Sequence, residues 1–209
     1  MSDEYILDTP TVRRFIEEVQ ATVAHTPPPD ALESLRPAFA ALLADQSWLP
    51  VEYQQPVAEG GMGGGIATWL LYRAEDGGLS LFSLVVPSGA ATPIHDHLAW
   101  GLVGLYAGEQ DERVYRRHDD HEHHSPESHP TLELVGRNHL FPGDFYVLMP
   151  PEGDIHSVAT VSPHPSVSIH LLGNDTGCVW RHTYSLEDGS GKKFRSGWSN
   201  VPCHDQVAI

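Results

Sequence analysis

Two histidines separated by one residue, His95 and His97, stand in the stretch from Pro93 to Gly101 of a 209-residue chain. Side chains of an extended segment alternate between faces, so these two imidazoles project the same way and lie close enough to share one metal ion. Such a pair needs a third ligand from elsewhere in the chain. The best candidate is His156, which closes the run Pro150-Pro-Glu-Gly-Asp-Ile-His156. The spacing alone is weak, because 14 histidines in 209 residues produce roughly one His-x-His triplet by chance. A second triplet does occur, at His121 and His123. Context separates the two. His121 and His123 lie in a charged, proline-containing tract that reads as a solvated loop, with adventitious metal binding as the alternative. His95 and His97 lie between the strand-like runs Leu81–Val86 and Leu102–Tyr106.

The elements that would position these histidines follow from periodicity. Residues 9–23 place Val12, Phe15, Ile16, Val19 and Val23 at helical spacing behind a Thr-Pro start. After a proline-rich break from His25 to Asp30, residues 31–43 give a second amphipathic helix with Leu32, Leu35, Phe39, Leu42 and Leu43 on one side. The glycine cluster from Gly60 to Gly65 has no Lys-Ser/Thr pair and no following helix, so it is a flexible entry to the first strand and not a phosphate loop. From Ile66 onward short apolar runs alternate with turns. Strands are expected near 66–73, 79–86, 98–107, 111–117, 131–136, 144–149, 156–161, 166–172 and 177–184. Many short strands with no helical pattern between them indicate a sandwich or barrel, with the helices as a small N-terminal cap. Residues 185–209 are polar and expected to wrap the surface, anchored by Phe194 and Trp198.

Composition narrows the function classes. A formal net charge of −16 argues against nucleic acid, whose phosphates need a basic face. The acidic start lacks an apolar leader, and no window approaches the roughly 18 consecutive apolar residues of a membrane span. Cys178 and Cys203 are two and far apart, which gives no disulfide framework, so a reducing cytoplasm is the expected compartment. The expected state is a monomer or homodimer that binds no nucleic acid and no membrane.

Particular residues carry a family resemblance. The segment Gly89–His97, followed by Gly101 and Gly108, resembles the first cupin motif, and Pro151-Glu-Gly-Asp-Ile-His156 resembles the second. The run from His95 to Glu109 is similar to bacterial thiol dioxygenases, the cysteine dioxygenase and 3-mercaptopropionate dioxygenase group. Ser166–Gly173 and Arg181–Tyr184 extend the likeness to about residue 200. The resemblance implies a mainly β, double-stranded β-helix (jelly-roll) barrel over 66–184. It sits within one cupin domain spanning 1–209, with the helical region at 1–50. It also implies an Fe(II) ion held by His95, His97 and His156, and a dioxygenase that adds O2 to the sulfur of a small thiol to give a sulfinate.

The departures from the family pattern refine this. Many cupins carry a fourth-ligand glutamate where this chain has Gly101, as the thiol dioxygenases do; Thr160 stands where the second motif often has Asn. Three neutral imidazoles leave a divalent ion its full charge and open positions for an anionic ligand and dioxygen. A thiol on such an ion loses its proton readily, and redox chemistry with dioxygen needs iron, which zinc cannot replace. Thiol dioxygenases share a Ser-x-His-x-Tyr relay. Here Ser168 and His170 match it as candidate catalytic residues, and Leu172 replaces the tyrosine. If Leu172 faces the metal cavity, the pocket wall is greasier, His170 loses a partner, and the substrate is bulkier or less polar near its sulfur. Arg181 falls where the resemblance implies a carboxylate-binding arginine, a role its planar fork suits. The arginine that other members carry on an early strand aligns with Trp69, with Arg73 on the same face further along. Trp100, within the motif run, completes the candidate substrate-binding set. A mercapto-carboxylate is therefore preferred to free cysteine. The alternative is a metal-binding cupin of another class: a different dioxygenase, an isomerase, or a noncatalytic small-molecule binder.

Overall fold

The computed structural model describes residues 2–59, 62–118 and 130–203. The His121/His123 pair lies outside the described residues. Strand β1 (Glu4–Tyr5) leads into helices α1 (Pro10–Val23) and α2 (Pro28–Ala44). Thr9 caps α1, its Oγ1 accepting from the Val12 amide at 3.3 Å, and Pro10 occupies the first turn. Helix α2 starts inside the expected proline-rich break. Pro28 and Pro29 fall in its first turn, where a missing N–H costs nothing.

Eleven further strands follow: β2 (Ala67–Arg73), β3 (Ser80–Val86), β4 (Ile94–His95), β5 (Gly101–Ala107), β6 (Gln110–His118), β7 (Thr131–Leu140), β8 (Phe145–Leu148), β9 (Ile155–Thr160), β10 (Ser166–Leu172), β11 (Arg181–Tyr184) and β12 (Gly191–Phe194). They form two antiparallel six-stranded sheets, ordered β1-β2-β3-β10-β5-β8 and β12-β11-β4-β9-β6-β7. This is the expected mainly β, jelly-roll architecture with N-terminal helices.

The central strands of the first sheet are buried on both faces; β3 is accordingly apolar at most of its positions, whereas β10 alternates Ser166, Ser168 and His170 with Val167, Ile169 and Leu171. Val167, Ile169 and Leu171 join the helices in one apolar cluster with Phe15, Phe39 and Leu43. Leu172 faces the other way, into a second cluster with Phe82, Leu84, Val103, Leu148 and Val158 inside the barrel. Strand β9 borders the interior on one face only and alternates accordingly.

Three expectations need correction. The strand expected at 98–107 begins only at Gly101, because Leu98 adopts φ 55° and turns the chain. The strand expected at 177–184 begins at Arg181, and β12 was not foreseen in the polar tail. Cys178 and Cys203 form a disulfide. The tail returns along β2, with Ser199 and Thr68 bonded backbone to backbone and the Asn200 amide pairing with both polar groups of the Leu70 backbone. That return closes the 25-residue separation between the two cysteines. Among the described residues no helix is long and apolar enough to cross a membrane.

Candidate metal centre

His95, His97 and His156 come together. One ligand atom from each lies within 4.8 Å of the others, and all three side chains are buried. The ring centroids are 4.9 to 5.0 Å apart. The convergence is only partly the strand alternation expected from sequence. His95 sits on the two-residue β4, directly opposite His156 on β9. His97 lies beyond the strand, in the turn at Leu98. Asp154 holds that turn: its two carboxylate oxygens accept from the His97 amide at 2.8 Å and the Leu98 amide at 3.1 Å.

Each imidazole is oriented through Nδ1. His95 Nδ1 lies 2.9 Å from the Pro93 carbonyl oxygen, and His97 Nδ1 lies 3.3 Å from an Asp154 carboxylate oxygen. His156 Nδ1 lies 2.8 Å from Glu112 Oε1. Acceptors at all three Nδ1 atoms fix the tautomer that leaves Nε2 free as a ligand, the usual outer arrangement of metal-binding histidines. Burial, then repulsion from the neighbouring histidines and Arg181, pushes His95 and His97 well below the ordinary histidine range. They are therefore neutral, the form that binds a cation. The donor set fits a divalent metal ion.

Glu112 and Asp154 are the residues that sequence reasoning missed. Burial works to raise the Glu112 carboxyl, but its bonds to His156, Asn138 and Tyr146 outweigh this and leave it below the ordinary value. Burial raises Asp154, opposed by the two amides it accepts. A signal for Glu112 was present: Gln110 and Glu112 occupy the inward register of β6, and both are buried polar residues.

A tight cavity of about 10 Å³ adjoins the triad, the scale of a single water. His95, His97, His170 and Arg181 supply polar walls, while Met62, Phe82, Leu84 and Trp198 supply apolar ones. A larger cleft of about 700 Å³ lies on the outer rim beside Leu98 and Tyr184, but none of the three histidines lines it.

Arg181 is buried in the cavity wall. Its guanidinium donates to the Thr176 and Asp96 carbonyls at 3.3 and 3.0 Å and to Ser196 Oγ at 3.0 Å, and it stacks 4.4 Å from the Phe194 ring. Among the described residues no carboxylate lies within ion-pair distance of it. Burial lowers its pKa to about 10, with Asp96 and Asp154 opposing, so it stays cationic at neutral pH.

The remaining candidates divide. Ser168 Oγ and His170 Nε2 are 2.9 Å apart, and the His170 ring stacks on Phe82. His170 Nδ1 is buried with no protein hydrogen-bond partner, as the loss of the tyrosine at 172 implies. Leu172 shares the inward face but is not a wall of the cavity; it packs into the apolar layer, against Gly101. A Cβ at Gly101 would collide with Leu172 and the Leu171 carbonyl, so a fourth-ligand glutamate has no room there. Trp69, Arg73 and Trp100 are not brought to the site. Trp69 packs on the helical side, its Nε1 donating to the Gln55 carbonyl. A bulge between Leu70 and Tyr72 inverts the strand alternation, so Arg73 does not share the Trp69 face and pairs with Glu4 at 2.8 Å. Trp100 covers Gly173.

No protein-family model matches the chain. Solved structures resemble it at the level of fold. A cupin superfamily protein from Desulfitobacterium hafniense is 13% identical over 63% of this chain and 94% of that one, with a TM-score of 0.40. A Klebsiella pneumoniae protein with a double-stranded β-helix domain is 12% identical over 73% and 100%, with a TM-score of 0.41. An oxalate oxidase is 18% identical over 47% of this chain and 43% of its own, with a TM-score of 0.35. None of these likenesses carries an argument.

Proposed function

We propose that the protein is a non-haem Fe(II) dioxygenase that adds both atoms of O2 to the sulfur of a small mercapto-carboxylate, giving a sulfinate. One observation carries this reading: a buried guanidinium with no carboxylate partner among the described residues shares a tight cavity with His95 and His97 of the histidine triad. A buried cation without a counter-ion is costly, and a ligand carboxylate relieves that cost through the geometry arginine favours. His95, His97 and His156 would hold the iron. Iron there would supply thiol acidification and redox chemistry with dioxygen.

The chain's own residues do the rest. Arg181 binds the carboxylate and so orients the sulfur end toward the histidines, the side chains around the single-water cavity moving apart to admit the ligand. Phe82, Leu84 and Trp198 exclude water and favour a short aliphatic chain. His170, with Ser168 behind it, stands at the wall as a neutral hydrogen-bonding group; burial, then the electrostatic cost of adding a proton near His97, His156 and Arg181, pushes its pKa well down. A free cysteine would bring an ammonium beside Arg181 with no acidic group in the cavity lining to receive it, so a mercapto acid without the amine fits better.

A second reading rests on His170. Its buried Nδ1 has no hydrogen-bond partner among the described residues, which supports a metal-binding protein that lacks a complete relay and holds a small anion without turnover. Aerobic incubation of the iron-loaded protein with 3-mercaptopropionate, cysteine and uncharged thiols, followed with an oxygen electrode, separates the two. Uptake greatest with a mercapto acid supports the dioxygenase; bound iron without uptake supports the binder.

A further inference from the structure

Asp96 lies between His95 and His97, is 2% exposed, and turns every polar group it has toward β11. Its Oδ1 accepts from the His182 amide at 2.7 Å. Its Oδ2 lies 2.9 Å from His182 Nδ1 and accepts from the Tyr184 hydroxyl at 2.7 Å. Its own amide donates to the His182 carbonyl at 3.2 Å, and its carbonyl accepts from Arg181 Nη1 at 3.0 Å. The residue that joins the two metal-loop histidines is therefore also tied to Arg181, His182 and Tyr184.

The rest of β11 is lightly held. It meets β4 at only two register pairs, Thr183 with His95 and Tyr184 with Ile94. Its other neighbour is β12, a short edge strand. Arg181 stands at the end of β11, beyond the last pair with β4. Besides the Asp96 carboxylate, β11 is set along its axis by that two-pair ladder, the Asp96 amide–His182 carbonyl bond and the bonds of the Arg181 guanidinium, so the carboxylate supplies three of a small number of hydrogen bonds.

We propose that Asp96 is a positioning residue. It fixes the distance from the Arg181 guanidinium to the three histidines, and so makes the site selective for thiols with one particular spacing between carboxylate and sulfur. This rests on the reading above, in which a mercapto-carboxylate bridges the metal and Arg181. Asp96 touches neither ligand nor metal; it acts through Arg181. Both carboxylate oxygens are needed as acceptors, because Oδ1 meets the His182 amide while Oδ2 faces His182 Nδ1 and the Tyr184 hydroxyl. An asparagine amide replaces one acceptor oxygen by a donor and leaves His182 or Tyr184 poorly matched.

The test is anaerobic thiol binding to the Fe(II)-loaded full-length protein, with metal content measured in parallel. The probes are mercaptoacetate, 3-mercaptopropionate, 4-mercaptobutyrate and uncharged 2-mercaptoethanol. An acid whose carboxylate–sulfur spacing does not match the fixed span loses its contact with Arg181 or with the metal, so wild type should favour one acid length by about tenfold or more. Asp96→Asn should compress that preference to within a few-fold, leaving metal content and 2-mercaptoethanol affinity unchanged. In an Arg181→Ala background Asp96→Asn should cost nothing further for the acids. Tyr184→Phe, which removes one of the three donors, should shift selectivity the same way but less, and serves if Asp96→Asn does not fold. Loss of metal, or equal losses for acids and 2-mercaptoethanol, would overturn the proposal and assign Asp96 to the histidine loop alone. A wild type that binds acids without length preference would overturn it too. A wild type that binds none of the four thiols would remove the thiol reading itself, and this inference with it.

Discussion

Glu112 Oε1 lies 2.8 Å from Nδ1 of His156, and both side chains are 2% exposed. The carboxylate comes from β6 and the imidazole from β9, strands that pair side by side. Glu112 is held in turn by Asn138 Nδ2 at 2.8 Å. A buried anion behind a metal-binding imidazole fixes its orientation and makes it a stronger donor. Losing such a partner costs about 10- to 100-fold in metal affinity. Glu112→Gln, which keeps an acceptor oxygen but removes the charge, should fall at the tenfold end in a competitive chelator titration. Unchanged affinity would show that the charge plays no part.

The three histidines make a direct prediction about metal content. His95→Ala, His97→Ala and His156→Ala should each lose most bound iron, measured by atomic emission after loading and desalting. His121→Ala and His123→Ala, outside the described residues, should keep it. The reverse pattern would move the metal away from the barrel.

Arg181→Ala should weaken binding of a carboxylated thiol by about 2–5 kcal/mol, the range for removing one partner of a buried charge pair. An uncharged thiol should be affected much less. Equal losses, measured by binding to the Fe(II)-loaded protein without oxygen, would remove Arg181 from the anchoring role.

Leu172 was expected to tune the cavity wall, but it fills the apolar layer against Gly101. Leu172→Tyr therefore adds a phenol where there is little room. It should lower stability by about 1–3 kcal/mol, the usual cost of overpacking, with metal content unchanged in denaturant unfolding and metal assays. Higher thiol oxidation at unchanged stability would mean that this side chain borders the cavity after all.

Local pattern and long-range contact explain what was legible in the sequence. The helices and most strands follow from periodicity, since α1 shows its apolar stripe, β3 is a mostly apolar run and β10 alternates polar and apolar residues. His95, His97 and His156 stood out because their flanking residues were strand-like and turn-like in the right places. Glu112 did not, because its partner is 44 positions away and pairs only through the β6–β9 register. Asp154 lies within the run Pro151–His156, but its task depends on the Leu98 turn, which no local signal announces. Arg73 was misplaced because a single bulge reverses the face of every later residue on the strand. The disulfide was missed because two cysteines say nothing of proximity until the tail is known to return along β2.

The most direct test of the central claim is turnover of 3-mercaptopropionate by the Fe(II)-loaded protein under 18O2, with the product weighed by mass spectrometry. The account predicts one sulfinate formed per O2 consumed, carrying both labelled oxygen atoms. Oxygen consumption that yields only disulfide, or a sulfinate whose oxygen comes from water, would contradict it.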